Sequence, residues 1–259
     1  MNKNYLTSTL IKASKLSVKK IFLSITFLFF ISFAFAQSTI TITTTSNFVA
    51  WNVSYSNPSS GLVWTAVGPG VNLTTPQTFT PTFNLTPNTT NGIVTISTTD
   101  TPANFAGITI FQADNPVGLE ITSIDVTDLP NLEDLRLTDN LLTSIDLSGN
   151  PNLKLLNLKR NDLNTIDLSA NPLLEEIYLD ANQNIASLDI SNNPNLRVLS
   201  AAALLNINSL DISNNPELIN LNLAFVPLTS TSIDNILNQL DAFGKLNGNL
   251  DLQNTTGGV

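Results

Sequence analysis

Carboxylates are the side chains of this sequence that could carry catalysis or bind a metal. The sequence contains no cysteine and no histidine, which excludes thiolate nucleophiles, Ser-His-Asp relays and ordinary zinc sites. Aspartates recur after an isoleucine or a leucine at intervals of 21, 21, 22 and 22 residues: Asp125, Asp146, Asp167, Asp189 and Asp211. Such a row of oxygen atoms suits either hydrolysis or the binding of a hard cation such as calcium.

Glycoside cleavage is the hydrolysis that paired carboxylates could perform. Glu175 and Glu176 are adjacent, and neighbouring residues of a strand point to opposite faces, so the two cannot easily flank one bond. The recurring aspartates fall on a flat exposed face, with no sign of an apolar pocket that would raise a pKa. We therefore predict that the protein is not an enzyme and has no catalytic residue.

Calcium binding by the aspartate row is one of two alternatives. Aspartates on neighbouring strands would lie about 4.8 Å apart and repel one another, so something must compensate. Hydration, flanking Ser and Thr hydroxyls and nearby amides could do so. Calcium usually takes six or more oxygens from several directions, and one flat row offers few of them. We expect no metal and no cofactor, and melting with and without calcium would separate the alternatives.

The same interval governs a second residue type, which shows that the aspartates belong to a repeat. Prolines advance in step with them, again by 21, 21, 22 and 22 residues: Pro130, Pro151, Pro172, Pro194 and Pro216. One unit, residues 153–171, reads L-x-x-L-x-L-x-x-N-x-L-x-x-L-D-L-x-x-N. A fixed period of this length is typical of a solenoid, in which each repeat buries its apolar residues against its neighbours.

This unit resembles the leucine-rich repeat family, and more narrowly its bacterial class in which a short repeat nests two L-x-L-x-x-N halves. Matching units run from Ile121 to Val226. The resemblance implies a mainly β solenoid with two short parallel sheets. It also implies a non-enzymatic protein that presents a sheet to a protein or surface-glycan ligand, exported or displayed at the cell surface.

Each half-repeat predicts a short strand whose alternate residues point inward. The first sheet is predicted to bury Leu135/Leu137, Leu156/Leu158, Ile177/Leu179, Leu199/Ala201 and Leu221/Leu223. The second is predicted to bury Ile124/Val126, Ile145/Leu147, Ile166/Leu168, Leu188/Ile190 and Leu210/Ile212. Two asparagine columns are predicted to serve the turns by bonding backbone groups: Asn140, Asn161 and Asn182, then Asn150, Asn171, Asn193 and Asn215.

The outward residues of the two predicted sheets differ. Those of the second sheet are Ser or Thr, then Asp, then Ser or Thr in every copy, whereas those of the first sheet vary. A varied face that carries aromatic and charged groups suits recognition. The candidate binding residues are Arg136, Asn157, Lys159, Glu176, Tyr178 and Asp180. Drift on an unconstrained surface is the alternative.

Residues 1–36 have the character of a secretory signal peptide. They contain 5 of the 11 basic residues and none of the 20 acidic ones, then an apolar run and Ala34-Phe35-Ala36. An uncleaved membrane anchor is the alternative, but the apolar run is short for a bilayer span. Cleavage would leave a net charge of 6 − 20 = −14, which disfavours nucleic acid and anionic lipid. A secreted or cell-surface protein without disulfides indicates a bacterial source.

The remaining chain divides into three predicted regions. Residues 37–115 form a Thr/Ser-rich β region that caps the solenoid, where Trp51 and Trp64 are either core residues or a carbohydrate platform. Residues 116–229 hold the repeats, and residues 230–259 hold a capping helix and a last strand at Leu250–Leu252. We expect a monomer. The sequence ends without an evident anchor, so a truncated accessory or spacer region of a larger secreted protein, such as a hydrolase, stays an alternative.

Overall fold

The computed structural model describes residues 39–44, 53–56, 63–68, 71–78, 82–83, 92–98, 109–113, 121–245 and 248–255. The predicted signal peptide of residues 1–36 and Trp51 lie outside these ranges, and Trp64 is described by its backbone alone. Within the described part, no helix combines the length and the apolar character that a bilayer crossing requires.

Antiparallel strands precede the repeats, where the sequence alternates β-branched and polar residues. Their bounds are β1 Thr39–Thr44, β2 Val53–Ser56, β3 Val63–Gly68, β4 Val71–Thr78, β5 Thr82–Phe83 and β6 Gly92–Thr98. Strand β2 pairs with β5 and with β7, Ile110–Gln112, and β1 pairs with β6 and with β8, Ile121–Asp125. Strand β7 then pairs in parallel with the first repeat strand. Strands β7, β2 and β5 therefore extend the repeat sheet at its first edge, whereas β4, β3, β6, β1 and β8 form a separate five-stranded sheet.

One parallel ladder runs through the repeats. Its strands are three residues long: β9 Asp134–Arg136, β10 Leu155–Asn157, β11 Glu176–Tyr178, β12 Val198–Ser200, β13 Asn220–Asn222 and β14 Asn249–Asp251. Successive strands pair in register, so that Leu156 lies beside Leu135 on one side and Ile177 on the other. The predicted mainly β solenoid is confirmed, and the strand predicted at Leu250–Leu252 is observed as β14, one residue earlier.

Described residues form one parallel sheet through the repeats, not the two that the sequence predicts. The segments around Asp146, Asp167, Asp189 and Asp211 are extended but form no strand ladder. Only a few backbone hydrogen bonds connect neighbouring coils on this side. One of them runs from the Asp162 amide to the Leu142 carbonyl at 2.9 Å. Each aspartate instead accepts the amide of the residue two positions later, which satisfies the backbone locally as an Asx turn. The amide is then not available to a neighbouring coil.

The aliphatic core lies between this sheet and the extended segments. Leu135, Leu156 and Ile177 are fully buried, as the predicted inward positions of the sheet require. On the opposite side most predicted inward residues are also buried, but Ile145 and Ile166 are only partly buried against the core. Burying one such side chain contributes about 1.5–3 kcal/mol, so stacked coils gain most of their stability here.

The first asparagine column links each coil to the one before it. The Asn161 side-chain amide donates to the carbonyls of Leu137 at 2.9 Å and Leu158 at 3.0 Å, and its Oδ1 accepts the Leu142 amide at 3.1 Å. Asn140 and Asn182 repeat these contacts. All are buried, so the predicted structural role is observed. Leu204 and Val226, both buried, occupy the corresponding position in the last coils.

The second asparagine column is continuous over four coils but makes fewer bonds. The Asn171 side-chain amide donates to the carbonyls of Leu147 at 3.1 Å and Asn150 at 2.9 Å, both in the preceding coil. Its Oδ1 is buried and has no hydrogen-bond partner in the part of the chain that the structure describes, as is also true of Asn150, Asn193 and Asn215. This column therefore supplies donors to backbone carbonyls and little else.

A helix interrupts the last coil. Helix α1 spans Ser230–Ala242, begins at the N-cap Thr229, and buries Ser232, Ile236 and Leu240. The Ser232 hydroxyl accepts the Leu210 amide at 3.3 Å. Gln239 accepts the Ile212 amide at 3.2 Å and donates to Asp211 at 2.9 Å. The helix thus covers the extended segment around Asp211, whereas the sheet continues past it to β14.

Candidate functional site

The sheet face consists of the outward side chains of β9–β14 and of the residue two positions after each strand. Strand side chains alternate, so the buried middle residues leave three parallel rows outside. The first row is Asp134, Leu155, Glu176, Val198, Asn220 and Asn249. The second is Arg136, Asn157, Tyr178, Ser200, Asn222 and Asp251. The third is Thr138, Lys159, Asp180, Ala202, Ala224 and Gln253.

The six predicted binding residues all lie in the coils of β9, β10 and β11, which we name the charged end. Arg136, Asn157 and Tyr178 are neighbours in strand register. The Arg136 guanidinium donates to both carboxylate oxygens of Asp134, each at 2.8 Å. This two-bond geometry fixes the guanidinium on the sheet face, with 39% of the Arg136 side chain still exposed.

Tyr178 is the aromatic residue of the charged end and lies on its last strand, β11. The Lys159 ammonium lies over its ring, 4.9 Å from the centroid, and contacts Asp180 at 2.8 Å. The Tyr178 hydroxyl donates to Glu176 at 2.8 Å. Burial, the Glu176 hydrogen bond and the Glu176 charge together raise the pKa of Tyr178 to about 12. Tyr178 is therefore a neutral hydrogen-bond donor held in one orientation.

Asp180 connects the charged end to the next coil. Its second carboxylate oxygen accepts the Ser200 hydroxyl at 2.6 Å and the Ala202 amide at 3.1 Å. Together with the Lys159 ion pair, these bonds hold a carboxylate whose side chain is only 17% exposed. The ionic groups of the charged end are thus paired with one another before any ligand arrives.

The other end of the sheet face, which we name the amide end, was missed by the sequence-based site prediction. It comprises Asn220, Asn222, Asn249, Asp251 and Gln253 on or after β13 and β14. The side-chain amides of Asn220, Asn249 and Gln253 make no hydrogen bond to the part of the chain that the structure describes. Asparagines at both outward positions of β13 were the available signal, but the register of β14 was needed to complete the group.

We name the five recurring aspartates and their flanking Ser and Thr residues the aspartate edge. Its carboxylates accept hydrogen bonds from residues of the aspartate edge itself. Asp167 accepts the Ser169 amide at 2.9 Å, and the bond recurs at Asp146, Asp189 and Asp211. Hydrogen bonds from the serine hydroxyl and then its amide lower the pKa of Asp146, Asp167 and Asp189, and at Asp211 the amide contributes most. The predicted compensation by hydroxyls and amides is therefore the one observed.

Metal-binding capacity was the other reading of the aspartate edge. Among the described residues, no three acidic groups converge in a way that could hold a metal ion. The Asx turns explain why: each carboxylate is turned toward the amide of its own coil.

Comparison with known proteins gives similarity to solved structures. No family model matches the chain, and no curated protein matches it. The functional domain of InlJ from Listeria monocytogenes, which includes a cysteine ladder, is 27% identical with a TM-score of 0.42, over 52% of this chain and 38% of that one. Internalin C2 from Listeria monocytogenes is 24% identical with a TM-score of 0.44, over 58% of this chain and 63% of that one. The chain thus covers less than two thirds of either.

The likeness to the leucine-rich repeat family is seen in the geometry of the chain itself. Each coil combines a three-residue parallel strand, inward aliphatic residues, and an asparagine that bonds backbone groups of the preceding coil. The spacing of these features is the 21- or 22-residue interval of the sequence repeat. The chain thus has the stacked-coil architecture of a leucine-rich repeat solenoid, and its repeat is similar to that of the leucine-rich repeat family.

Proposed function

We propose that this chain is an exported, non-enzymatic recognition protein that binds a protein or glycan ligand through its sheet face, secreted from or displayed on a bacterial cell. One observation carries the proposal. The inward residues and the aspartate edge repeat from coil to coil, whereas the sheet face changes at every strand. A constant scaffold with one varied surface is the arrangement expected of a binding module.

Preorganisation of the charged end supports the proposal. Arg136 is fixed by Asp134, and Tyr178 is fixed by Glu176 and Lys159. Side chains that are already ordered lose less conformational entropy when a ligand binds, so their contacts yield more affinity. Arginine and tyrosine are also the residues that most often dominate binding energies at interfaces.

The state of the carboxylates supports a non-enzymatic role. The lowered pKa values of Asp146, Asp167 and Asp189 keep these groups ionised at neutral pH, whereas a general acid needs a raised pKa. Glu176 is occupied by the Tyr178 hydroxyl. Neither the aspartate edge nor the charged end therefore offers a matched acid and base.

Export is supported by the sequence. The basic start, the apolar run and Ala34-Phe35-Ala36 together suit cleavage after Ala36. The remaining net charge of 6 − 20 = −14 favours solubility outside the cell. N-terminal sequencing of the protein recovered from culture medium or from the cell surface tests this part, and a chain that still begins at Met1 would contradict it.

A triple substitution of the sheet face tests the binding role. Arg136→Ser, Lys159→Ser and Tyr178→Ser remove the fixed groups of the charged end without touching the core. Binding to any partner recovered by surface-protein pull-down or on a glycan array should be lost, while circular dichroism shows a folded protein. The matched control carries Asp146→Asn, Asp167→Asn and Asp189→Asn on the aspartate edge and should bind normally. Equal binding by both variants would contradict the proposal.

A further inference from the structure

We infer that the sheet face binds a protein partner through a basic side chain of that partner, best an arginine, which pairs with Glu176. The inference rests on the proposed recognition function and adds the chemistry of the partner and the place of contact. It selects a protein over a glycan, and it makes Glu176 the residue on which specificity depends.

Glu176 is bonded to a neutral hydroxyl rather than to a cation. Asp134 and Asp180, the other sheet-face carboxylates of the charged end, each contact a cation at 2.8 Å. Among the described residues, no Lys or Arg side chain forms an ion pair with Glu176. The Tyr178 hydroxyl donates to its Oε2 at 2.8 Å, and no described residue donates to its Oε1. One oxygen of an oriented carboxylate is therefore left for a donor from another molecule.

The residues beside Glu176 suit the stem of a basic side chain. In strand register, Leu155 lies on one side of Glu176 and Val198 on the other, each about 4.8 Å away at the usual strand spacing. Both aliphatic side chains are partly exposed. Arginine and lysine lay their methylene stems on apolar surface while the charged head keeps polar contacts. A guanidinium on Glu176 can therefore rest its stem against Leu155 or Val198.

A partner that covers the sheet face also covers Glu176. Removing a carboxylate from water without a compensating charge is strongly unfavourable. A basic group of the partner compensates the charge, whereas a glycan hydroxyl brings a donor without a charge. Arginine is preferred to lysine because its planar fork bonds both oxygens of a carboxylate, and Oε2 keeps a lone pair after accepting the Tyr178 hydroxyl.

The charge balance of the chain favours the same partner. After residue 36 the sequence has 6 basic and 20 acidic residues. Five of these basic residues already form ion pairs with carboxylates of the chain itself. The sixth, Arg197, lies outside the sheet face. An approaching molecule therefore meets a negative field, which attracts a basic partner and repels an anionic glycan or lipid.

Selection from a phage-displayed library of short peptides tests the inference. Peptides retained by the protein should carry arginine beside apolar residues, and the affinity of the selected peptides, made synthetically, should fall as salt is added. Glu176→Gln removes the charge but keeps an oxygen for the Tyr178 hydroxyl, so the variant should fold normally. It should bind a selected peptide about tenfold more weakly, or less still. The matched control is Asp162→Asn, which removes an equal charge from an exposed residue outside the sheet face and should leave binding unchanged.

A double-mutant cycle identifies the contact. Replacing the arginine of a selected peptide by citrulline keeps its shape and removes its charge. This change and Glu176→Gln should together weaken binding little more than either does alone, because both remove the same ion pair. Fully additive effects would overturn the assignment of the arginine to Glu176.

The outcomes separate this inference from the proposed function. Failure to select any peptide, selection of peptides without a basic residue, or equal binding by Glu176→Gln and Asp162→Asn would overturn the inference. Retention of oligosaccharides on a glycan array, without any basic peptide, would assign the sheet face to a glycan instead. Recognition through the sheet face would then still stand if the triple substitution of Arg136, Lys159 and Tyr178 abolished that binding.

Discussion

The sheet face and the aspartate edge are two outer sides of the same coils, and they satisfy their polar groups differently. On the aspartate edge each carboxylate accepts the backbone amide of the residue two positions later, so this hydrogen bond lies within a single coil. On the sheet face some bonds stay within a strand, as from Arg136 to Asp134, but others run between coils, as from Lys159 to Asp180 and from Ser200 to Asp180. Hydrogen bonds within one coil can repeat unchanged along the solenoid, whereas bonds between coils depend on which residues the neighbouring coils carry. Constancy on one side therefore reflects turn formation, and variation on the other side is what the proposed binding role requires.

The largest expected difference between the two sides lies in the core beneath them. Leu156 under the sheet is fully buried, and Ile166 under the aspartate edge is only partly buried. Leu156→Ala should lower the free energy of unfolding by about 2–5 kcal/mol through the lost contacts and the cavity left behind. Ile166→Ala should cost clearly less. Urea unfolding monitored by circular dichroism measures both, and equal losses would break the comparison.

The next largest difference is expected between the two asparagine columns, in how far the melting temperature falls on substitution. Asn161→Leu leaves the buried Leu142 amide without an acceptor, at a cost of about 1–3 kcal/mol. It also removes one of the two asparagine donors from each of the Leu137 and Leu158 carbonyls. Asn171→Leu removes one donor from each of the Leu147 and Asn150 carbonyls, which both keep a backbone amide, and it also removes a buried oxygen that has no partner among the described residues. The melting temperature should fall further for Asn161→Leu. A larger fall for Asn171→Leu would show that the second column contributes more than its bonds indicate.

A smaller effect is expected at the ion pair of the sheet face. Asp180→Asn removes the charge that Lys159 contacts, and both groups are partly exposed, so solvent screens the attraction. A double-mutant cycle with Lys159→Met should give a coupling free energy of about 1 kcal/mol or less. The coupling should shrink in high salt. A coupling that salt leaves unchanged would point to packing rather than charge.

The smallest effect should come from acid titration of the aspartate edge. The folded-state pKa values of Asp146, Asp167 and Asp189 are lowered from the ordinary value of 3.8. Their contribution is therefore fully present above that value and is lost as the pH falls through the lowered pKa. Replacing all three by Asn should flatten the fall of the melting temperature below about pH 4. An unchanged acid profile would assign the acid sensitivity to other carboxylates.

The period of the sequence was sufficient to predict the coils, their inward residues and the roles of both asparagine columns. When a pattern of alternating apolar residues recurs at a fixed interval, few folds other than stacked coils can bury all of them. The second sheet was not predictable in the same way, because alternation reports which side chains are buried and not whether backbones pair. The segment around Asp167 alternates as a strand does, yet its aspartate takes the Ser169 amide for itself.

The candidate site was predicted only in part for a related reason. Sequence identifies which positions face outward, but it does not show that Arg136 bonds Asp134 or that Lys159 covers one side of Tyr178. Those choices depend on side-chain rotamers across neighbouring strands. The amide end depends on β14, which follows helix α1 and joins the ladder only in three dimensions.

The buried asparagines bond the coil that precedes them in the sequence, and this direction bears on the order in which the coils can fold. Between coils, Asn161 and Asn171 bond backbone groups of the preceding coil and of no later one, so a newly made coil can dock on its predecessor. Synthesis delivers the chain in that same order. Docking of coils one after another, starting from the first, therefore follows the direction of translation. Local unfolding should begin at the last coil that the structure describes.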